Sequence, residues 1–145
     1  MKKTLKLYLF SAIFLFGLCP VLHASPAGNS YQITMLCLGD AGSYCKALTL
    51  DTDKFIFAED DSDFDMDNMT FGTGSYENIG LMIEAEYTET MPLVYKYEFD
   101  ITAINFFDFM LIGTINILYA SGWDYSGWDW KNEEEATAVF VGFSD

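Results

Sequence analysis

Residues 93–104 read LVYKYEFDITAI, and this stretch decides the fold. Aromatic and aliphatic side chains from Tyr95 to Ala103 alternate there with charged and hydroxyl side chains from Lys96 to Thr102. A period of two places the apolar set on one face of an extended strand and the polar set on the other. The stretch therefore predicts a β-strand with one dry face and one wet face.

Similar strand patterns lie on both sides of this stretch. Leu81–Thr88 repeats the alternation, and Phe107–Tyr119 is long and rich in β-branched and aromatic residues. The glycines of Gly72-Thr73-Gly74 predict a bend or bulge within another candidate. The eight candidate strands are Tyr31–Leu38, Tyr44–Leu50, Lys54–Glu59, Met69–Glu77, Leu81–Thr88, Leu93–Ile104, Phe107–Tyr119 and Ala136–Phe143.

Eight strands joined mostly by short links predict an all-β fold. We expect an antiparallel up-and-down meander that forms a small barrel or half-barrel, with a sandwich as the alternative. The arrangement resembles lipocalins, in architecture only. The alternation does not say whether the apolar face points to a core or to lipid. We expect a soluble barrel because several candidates are too short to span a bilayer, and an outer-membrane barrel is the alternative.

The N-terminal segment has the three parts of a secretory signal peptide. Three lysines precede the apolar stretch Leu7–Val21, and Ala24 supplies a small residue at which signal peptidase would cut. The apolar stretch is short for a membrane anchor. We therefore expect residues 1–24 to be removed and residues 25–145 to form one acidic domain, exported to the periplasm or the extracellular space.

The charge of residues 25–145 argues against several classes of partner. All 22 acidic residues and only four lysines lie there, a formal charge of 4 − 22 = −18. Arginine is absent from the sequence, and the single histidine, His23, lies in the signal. Nucleic acid and anionic membranes are therefore not expected as partners, because both are bound through Lys and Arg. The excess of acids favours solubility, cations or a basic partner.

The missing residue types also remove most catalytic mechanisms. Without histidine there is no Ser-His-Asp or Cys-His catalysis and no His-ligated zinc, and without arginine there is no bidentate phosphate clamp. Glycoside hydrolysis needs only two carboxylates, for which Glu84, Glu86, Asp124 and Asp129 are candidates. Nothing in the sequence fixes their separation, and the domain is small for a sugar cleft. We therefore expect a protein that is not an enzyme.

Cys37 and Cys45 are the two cysteines that follow the signal. In an oxidising compartment they are expected to pair. They flank the turn-like stretch Gly39-Asp40-Ala41-Gly42, so the bond would clamp a hairpin and stabilise the fold by about 2–3 kcal/mol in the chain-entropy model.

An acidic run follows the third candidate strand. Asp61, Asp63, Asp65 and Asp67 alternate with other residues, so an extended chain would place all four carboxylates on one side. A hard cation such as Ca²⁺ would relieve their repulsion. The spacing departs from an EF-hand loop at Met66, where that loop requires glycine. A solvated acidic turn is therefore the preferred interpretation, and a Ca²⁺ site is the alternative.

The chain contains a tandem pentapeptide, SGWDY followed by SGWDW, at residues 121–130. We predict that it begins the longest non-strand segment of the mature chain, and long loops in compact domains are often functional. The aromatic side chains would either plug one end of the barrel or form a lid or a platform for a saccharide. These residues are Trp123, Tyr125, Trp128 and Trp130.

Two functional hypotheses follow. The first is a non-catalytic binding barrel whose apolar inner face, including Tyr95, Tyr97 and Phe99, holds a small apolar ligand beneath the Trp-rich loop. The second is a surface or extracellular interaction module that binds a glycan or a protein through that loop, with or without bound Ca²⁺. No cofactor is required by either hypothesis, and the sequence does not indicate an oligomeric state.

Overall fold

The structure, a computed structural model, describes residues 25–39, 45, 54–59 and 62–145. Within these residues eight antiparallel strands follow one another around a closed barrel, and the last strand pairs with the first. The predicted all-β meander is confirmed, as a complete barrel rather than a half-barrel or sandwich. No helix in this part of the chain is long and apolar enough to cross a membrane. The strands are β1 Ser30–Cys37, β2 Lys54–Phe57, β3 Asp63–Met66, β4 Gly72–Ile79, β5 Met82–Met91, β6 Tyr95–Phe106, β7 Met110–Asp124 and β8 Asp129–Ser144.

The apolar faces of the strands point into the barrel. On β6, Phe99, Ile101 and Ala103 are buried, whereas Asp100 and Thr102 between them are exposed. The antiparallel ladders align inward side chains of neighbouring strands into layers that fill the interior. Other members of this core are Tyr31, Ile33, Phe55, Phe57, Phe64, Met66, Ile83, Ala85, Tyr87, Leu111, Ile115, Ile117, Ala138 and Phe140. The period-two alternation therefore marks the interior of the barrel.

Seven of the eight predicted strands are present among the described residues, and one strand, β3, was not predicted. Strand β3 lies in the acidic run, where Phe64 and Met66 are buried and Asp63 and Asp65 between them are exposed. The predicted turn is therefore wrong at these residues, because two apolar side chains alternate with the carboxylates and reach the core. The prediction of a strand over Tyr44–Leu50 lies outside the described residues except at Cys45, which has a helical backbone and not an extended one.

The tandem pentapeptide forms a hairpin and not a long loop. Strand β7 continues to Asp124, which pairs with Asp129 at the start of β8, so only residues 125–128 form the turn. Trp and Tyr have high strand propensity, and the repeat places Trp123 directly opposite Trp130. The predicted non-strand segment is therefore wrong, because the aromatic residues of the repeat extend the ladder rather than interrupt it.

Strand β4 is not bulged. It pairs with β5 residue for residue from Gly72 to Ile79. A Cβ atom on Gly74 would lie 2.6 Å from the ring of Tyr87 and 2.7 Å from the carbonyl oxygens of Phe64 and Glu86. The two glycines of β4 are therefore explained by close packing against the buried Tyr87 ring, and the predicted bulge is absent from the ladder with β5.

The two ends of the barrel differ in their turns. The end that contains the β7–β8 turn is called here the tryptophan end, and the end that contains the β6–β7 turn the phenylalanine end. In the β6–β7 turn, Phe107 and Asp108 have φ angles of 51° and 63°, and the Phe109 amide donates to the Phe106 carbonyl at 3.1 Å. Two consecutive left-handed residues are the geometry of a tight type I′ hairpin turn.

Candidate functional site

At the tryptophan end, strands β7 and β8 extend further than the other side of the barrel. Strand β1 ends at Cys37, which pairs with Ala138, whereas β8 continues to Asp129 beside β7. The inward residues of this wall change from buried to accessible towards that end. Ile117 is buried, Tyr119 is half-buried, and Glu134 opposite it is exposed. The inner face of β7 and β8 is therefore no longer fully buried towards the tryptophan end.

One row of inward side chains crosses this part of the wall. Glu89, Tyr97, Tyr119 and Glu134 lie directly opposite one another on β5 to β8. Two tyrosines thus lie between two carboxylates, one of them buried and the other exposed. We call this row, together with Tyr95, Trp123 and Trp130 above it, the barrel mouth.

Aromatic rings line the mouth. The centroids of Tyr97 and Tyr119 are 4.7 Å apart, and Tyr97 stacks on Phe99 at 5.6 Å with an interplanar angle of 8°. Tyr95 meets Tyr97 edge to face at 5.5 Å. These are the separations at which aromatic pairs attract one another. Three residues that the sequence predicted as a ligand-binding face therefore lie together, with Phe99 forming the floor and Tyr119 an additional member.

The four aromatic residues of the tandem repeat separate into two pairs. Trp123 and Trp130 pack edge to face at 5.1 Å, and the indole Nε1 of Trp123 is buried without a hydrogen-bond partner in the structure. Tyr125 and Trp128 lie in the turn and are 66% and 76% exposed. The first pair therefore belongs to the mouth, and the second forms the tip of the hairpin.

The hairpin tip is fixed by Asp124. Its carboxylate accepts hydrogen bonds from the amide of Ser126 at 3.0 Å and from the Ser126 hydroxyl at 2.8 Å. The hydroxyl bond, followed by the amide bond, lowers the pKa of Asp124. An ionised side chain that accepts bonds two residues onward stabilises a turn. The exposed Trp128 is thus presented on an ordered turn, with its φ angle of 53° in the left-handed region.

Glu89 is the buried charge of the mouth and was not among the predicted site residues. Its side chain is only 4% exposed; Oε1 accepts a hydrogen bond from the Tyr95 hydroxyl at 2.8 Å, and Oε2 has no partner in the structure. The bond to Glu89, followed by burial, raises the pKa of Tyr95. The sequence contained a signal for this residue. Glu89 continues the inward phase of Ile83, Ala85 and Tyr87, but the predicted strand ended one residue earlier, at Thr88.

The predicted Ca²⁺ ligands are only partly described. Asp61 lies outside the described residues, and Asp63 and Asp65 point outward from β3. The Asp65 carboxylate accepts a bond from the Met66 amide at 2.9 Å, and Asp67 accepts one from the Asn68 amide at 3.0 Å. Within residues 25–39, 45, 54–59 and 62–145, no three His, Cys, Asp or Glu side chains are grouped around a metal position.

The predicted disulfide is present. Cys37 and Cys45 are bonded, and the bond links the end of β1 to a residue that is fully buried in the core. A disulfide fits an oxidising compartment. The hairpin that the bond was expected to clamp lies outside the described residues, except for β1, Leu38, Gly39 and Cys45, which has a helical backbone.

A wide cleft lies on the outside of the barrel. It is bounded by Leu38 and Gly39 and by the outer faces of β6, β7 and β8, from which Glu98, Asp100 and Glu135 contribute carboxylates. An open acidic groove of this kind does not suit an apolar molecule, since the carboxylates would have to be desolvated. The mouth is therefore the stronger candidate for an organic ligand.

The chain matches no protein-family model, no curated protein and no solved structure.

The four carboxylates that the sequence offered for glycoside hydrolysis do not form one group. Glu84 and Glu86 point outward from β5, and Asp124 and Asp129 pair at the base of the β7–β8 turn. The geometry of the mouth is therefore the basis for proposing a function.

Proposed function

We propose that the protein is a non-catalytic binding barrel that holds a small organic ligand in the mouth at its tryptophan end. The observation that supports this best is the change in burial along the inner wall. The interior is closely packed up to Phe99 and Ile117, and the inward tyrosines above this level are half-accessible. Accessible aromatic faces inside a concave wall are the usual lining of small-molecule sites.

The packed interior limits where the ligand sits. The ring of Phe64 contacts those of Phe55 at 5.2 Å, Phe57 at 5.1 Å and Tyr87 at 6.2 Å. Residues expected to line an inner cavity, such as Ile115, are part of this closely packed core. The proposed site therefore lies above Phe99, at the level of Tyr97 and Tyr119.

The charged side chains on the outer wall favour this proposal over an outer-membrane barrel. Glu84, Glu86 and Asp100 are exposed on the outer wall at mid-height. Charged side chains that face hydrocarbon destabilise a membrane barrel. Exposed apolar residues do occur on the outer wall, for example Ile104 and Ile112 opposite each other, but these lie near the phenylalanine end.

We propose further that the domain works outside the cytoplasm. The predicted signal peptide lies outside the described residues, and the disulfide supports an oxidising compartment. The same proposal explains the strongly acidic surface, which keeps a secreted protein soluble.

The hairpin tip supports a second candidate function, a surface module that binds a glycan or a protein. Trp128 and Tyr125 are both largely exposed beyond the barrel wall. Exposed aromatic side chains on an ordered turn can stack on the apolar face of a sugar ring or anchor a protein interface. The tip and the mouth can be separated by substitution, since they share no aromatic residue.

Native mass spectrometry of the mature protein, exported and purified without detergent, tests the first proposal. We expect a non-covalent organic adduct on the natural protein that is lost in Tyr97→Ala. Trp128→Ala is the matched control and should keep the adduct, because its side chain lies at the tip. A bare chain, or an adduct that Trp128→Ala removes and Tyr97→Ala keeps, would contradict binding in the mouth.

A further inference from the structure

We infer that the ligand of the mouth is an organic cation, an ammonium group on a small apolar or aromatic body. This inference rests on the proposed function and specifies the chemical class of its ligand. It starts from Glu89, the one buried carboxylate described in the structure, which faces the mouth with one oxygen unpartnered.

A buried carboxylate needs a partner or a proton. Removing an ionised carboxylate from water without compensation is strongly unfavourable, so such groups are paired, hydrogen-bonded or neutralised. Tyr95 supplies one hydrogen bond, to Oε1. The other oxygen lies on the inward side of β5, where it can accept a hydrogen bond or an ion pair from a ligand.

No described lysine supplies the counter-charge. Lys54 forms an ion pair with Asp145, and Lys96 forms one with Glu98 on the outer side of β6. Lys131 precedes Asn132 on β8 and is exposed, on the face opposite to the inward Trp130. A cation that enters the mouth would therefore meet a carboxylate that these side chains do not engage.

The rings beside Glu89 suit the same class of ligand. Tyr97 lies directly opposite Glu89 in the ladder, and its ring contacts those of Tyr95, Phe99 and Tyr119. The face of an aromatic ring attracts a cation whose centre lies within about 6 Å, and quaternary and protonated amines are recognised in this way. The Glu89 carboxylate thus lies next to this group of rings in the ladder, and we expect an ammonium group to contact both.

The negative electrostatic potential around the mouth also favours a cationic ligand. Glu134 belongs to the inward row and is exposed, and Glu133 and Glu135 flank it on β8. With a formal charge of −15 on the whole chain, these carboxylates draw cations towards the mouth and repel anions. A fatty acid or another carboxylate is therefore disfavoured, although an apolar body alone would fit the rings.

Calorimetric titration with matched probes tests the inference. The probes share two bodies, phenylethyl and hexyl, each with an ammonium, a hydroxyl or a carboxylate head: phenylethylamine, phenylethanol and phenylpropionate, and hexylamine, hexanol and heptanoate. We expect each amine to bind at least about ten-fold more tightly than the corresponding alcohol, and each carboxylate to bind more weakly than the alcohol.

Two glutamate variants locate the effect. Glu89→Gln keeps the shape of the side chain and an oxygen that can accept from Tyr95, and it should abolish the preference for the amine while leaving alcohol binding in place. Glu84→Gln removes the same unit of charge from an exposed position on the outer face of β5 and should change amine affinity less than about two-fold, because exposed charges are screened by salt. Circular dichroism checks that both variants fold.

The outcomes separate the inference from the proposed function. Alcohols that bind as tightly as the amines, or a preference that survives Glu89→Gln in a folded protein, would overturn the inference and leave the binding barrel standing. Failure of all six probes to bind would count against both.

Discussion

At the residue scale, the alternation of apolar and polar side chains identified most of what lies inside the barrel. Tyr95, Tyr97 and Phe99 are inward because each differs by two from its neighbour in the strand. Glu89 follows the same alternation. Because it is acidic, the strand was predicted to end before it, at Thr88. An acidic residue at a position where the alternation predicts an apolar one indicates either a functional site or the end of the strand. Here the pairing of Glu89 with Tyr97 of β6 shows that the strand continues.

Gly74 gives a prediction at this scale. Gly74→Ala should destabilise the protein by about 1–3 kcal/mol, because the new Cβ would lie 2.7 Å from the carbonyl oxygens of Phe64 and Glu86, which cannot rotate away. Urea unfolding measures the difference. Gly127→Ala is the control, since its Cβ would lie 3.5 Å from Asp124, and it should change stability by less than about 0.5 kcal/mol. Equal stabilities of the two variants would argue against the close packing of β4.

At the element scale, the sequence predicted the existence of strands better than their ends. The β7–β8 hairpin was missed because Ser121-Gly122 looks like a turn, whereas the ladder passes through it from Ser121 opposite Asn132 to Trp123 opposite Trp130. Strand β3 was missed because Phe64 and Met66 lie within a run of acidic residues that resembles a solvated turn. Whether such a short segment is extended depends on the partners of these two side chains in β2 and β4, which a single sequence does not show.

The β6–β7 turn gives a prediction for an element. Phe107 occupies a left-handed position that bulky residues avoid, and its side chain is 68% exposed, so it gains little from packing. Phe107→Asn should raise the free energy of unfolding by about 0.5–1 kcal/mol, because asparagine favours the first position of a type I′ turn. Thermal unfolding measures the change. Phe109→Asn, which alters an exposed residue outside the left-handed pair, should give no such gain; a gain in the control alone would show that the turn is not strained.

At the scale of the whole molecule, buried tyrosines connect the packing of the barrel to its stability at high pH. Burial, followed by the nearby charge of Asp108, raises the pKa of Tyr31 from 10.0 to about 12, and burial is also the main cause of the raised pKa of Tyr87. The native barrel therefore holds these protons to a higher pH than the unfolded chain does. Stability from this source is complete below about pH 10 and is lost as the pH rises towards 12.

This linkage is testable with one substitution. Between pH 9 and pH 12, Tyr31 alone should account for a loss of about 2–3 kcal/mol in the free energy of unfolding, which is what two pKa units represent. Tyr31→Phe should therefore reduce the alkaline loss measured by urea unfolding. Tyr125→Phe changes an exposed tyrosine of the tip and should leave the loss as it is in the natural protein. Identical pH profiles for all three proteins would contradict the linkage.

The most direct test of the central claim, that the mouth and not the hairpin tip is the binding site, uses the three tryptophans as reporters. Their indole N–H signals are resolved by ¹⁵N NMR, and phenylethylamine is the probe. We predict that titration shifts the signals of Trp123 and Trp130, which pack together in the mouth, and leaves that of Trp128 unchanged. A shift confined to Trp128, or no shift of any indole signal, would contradict it.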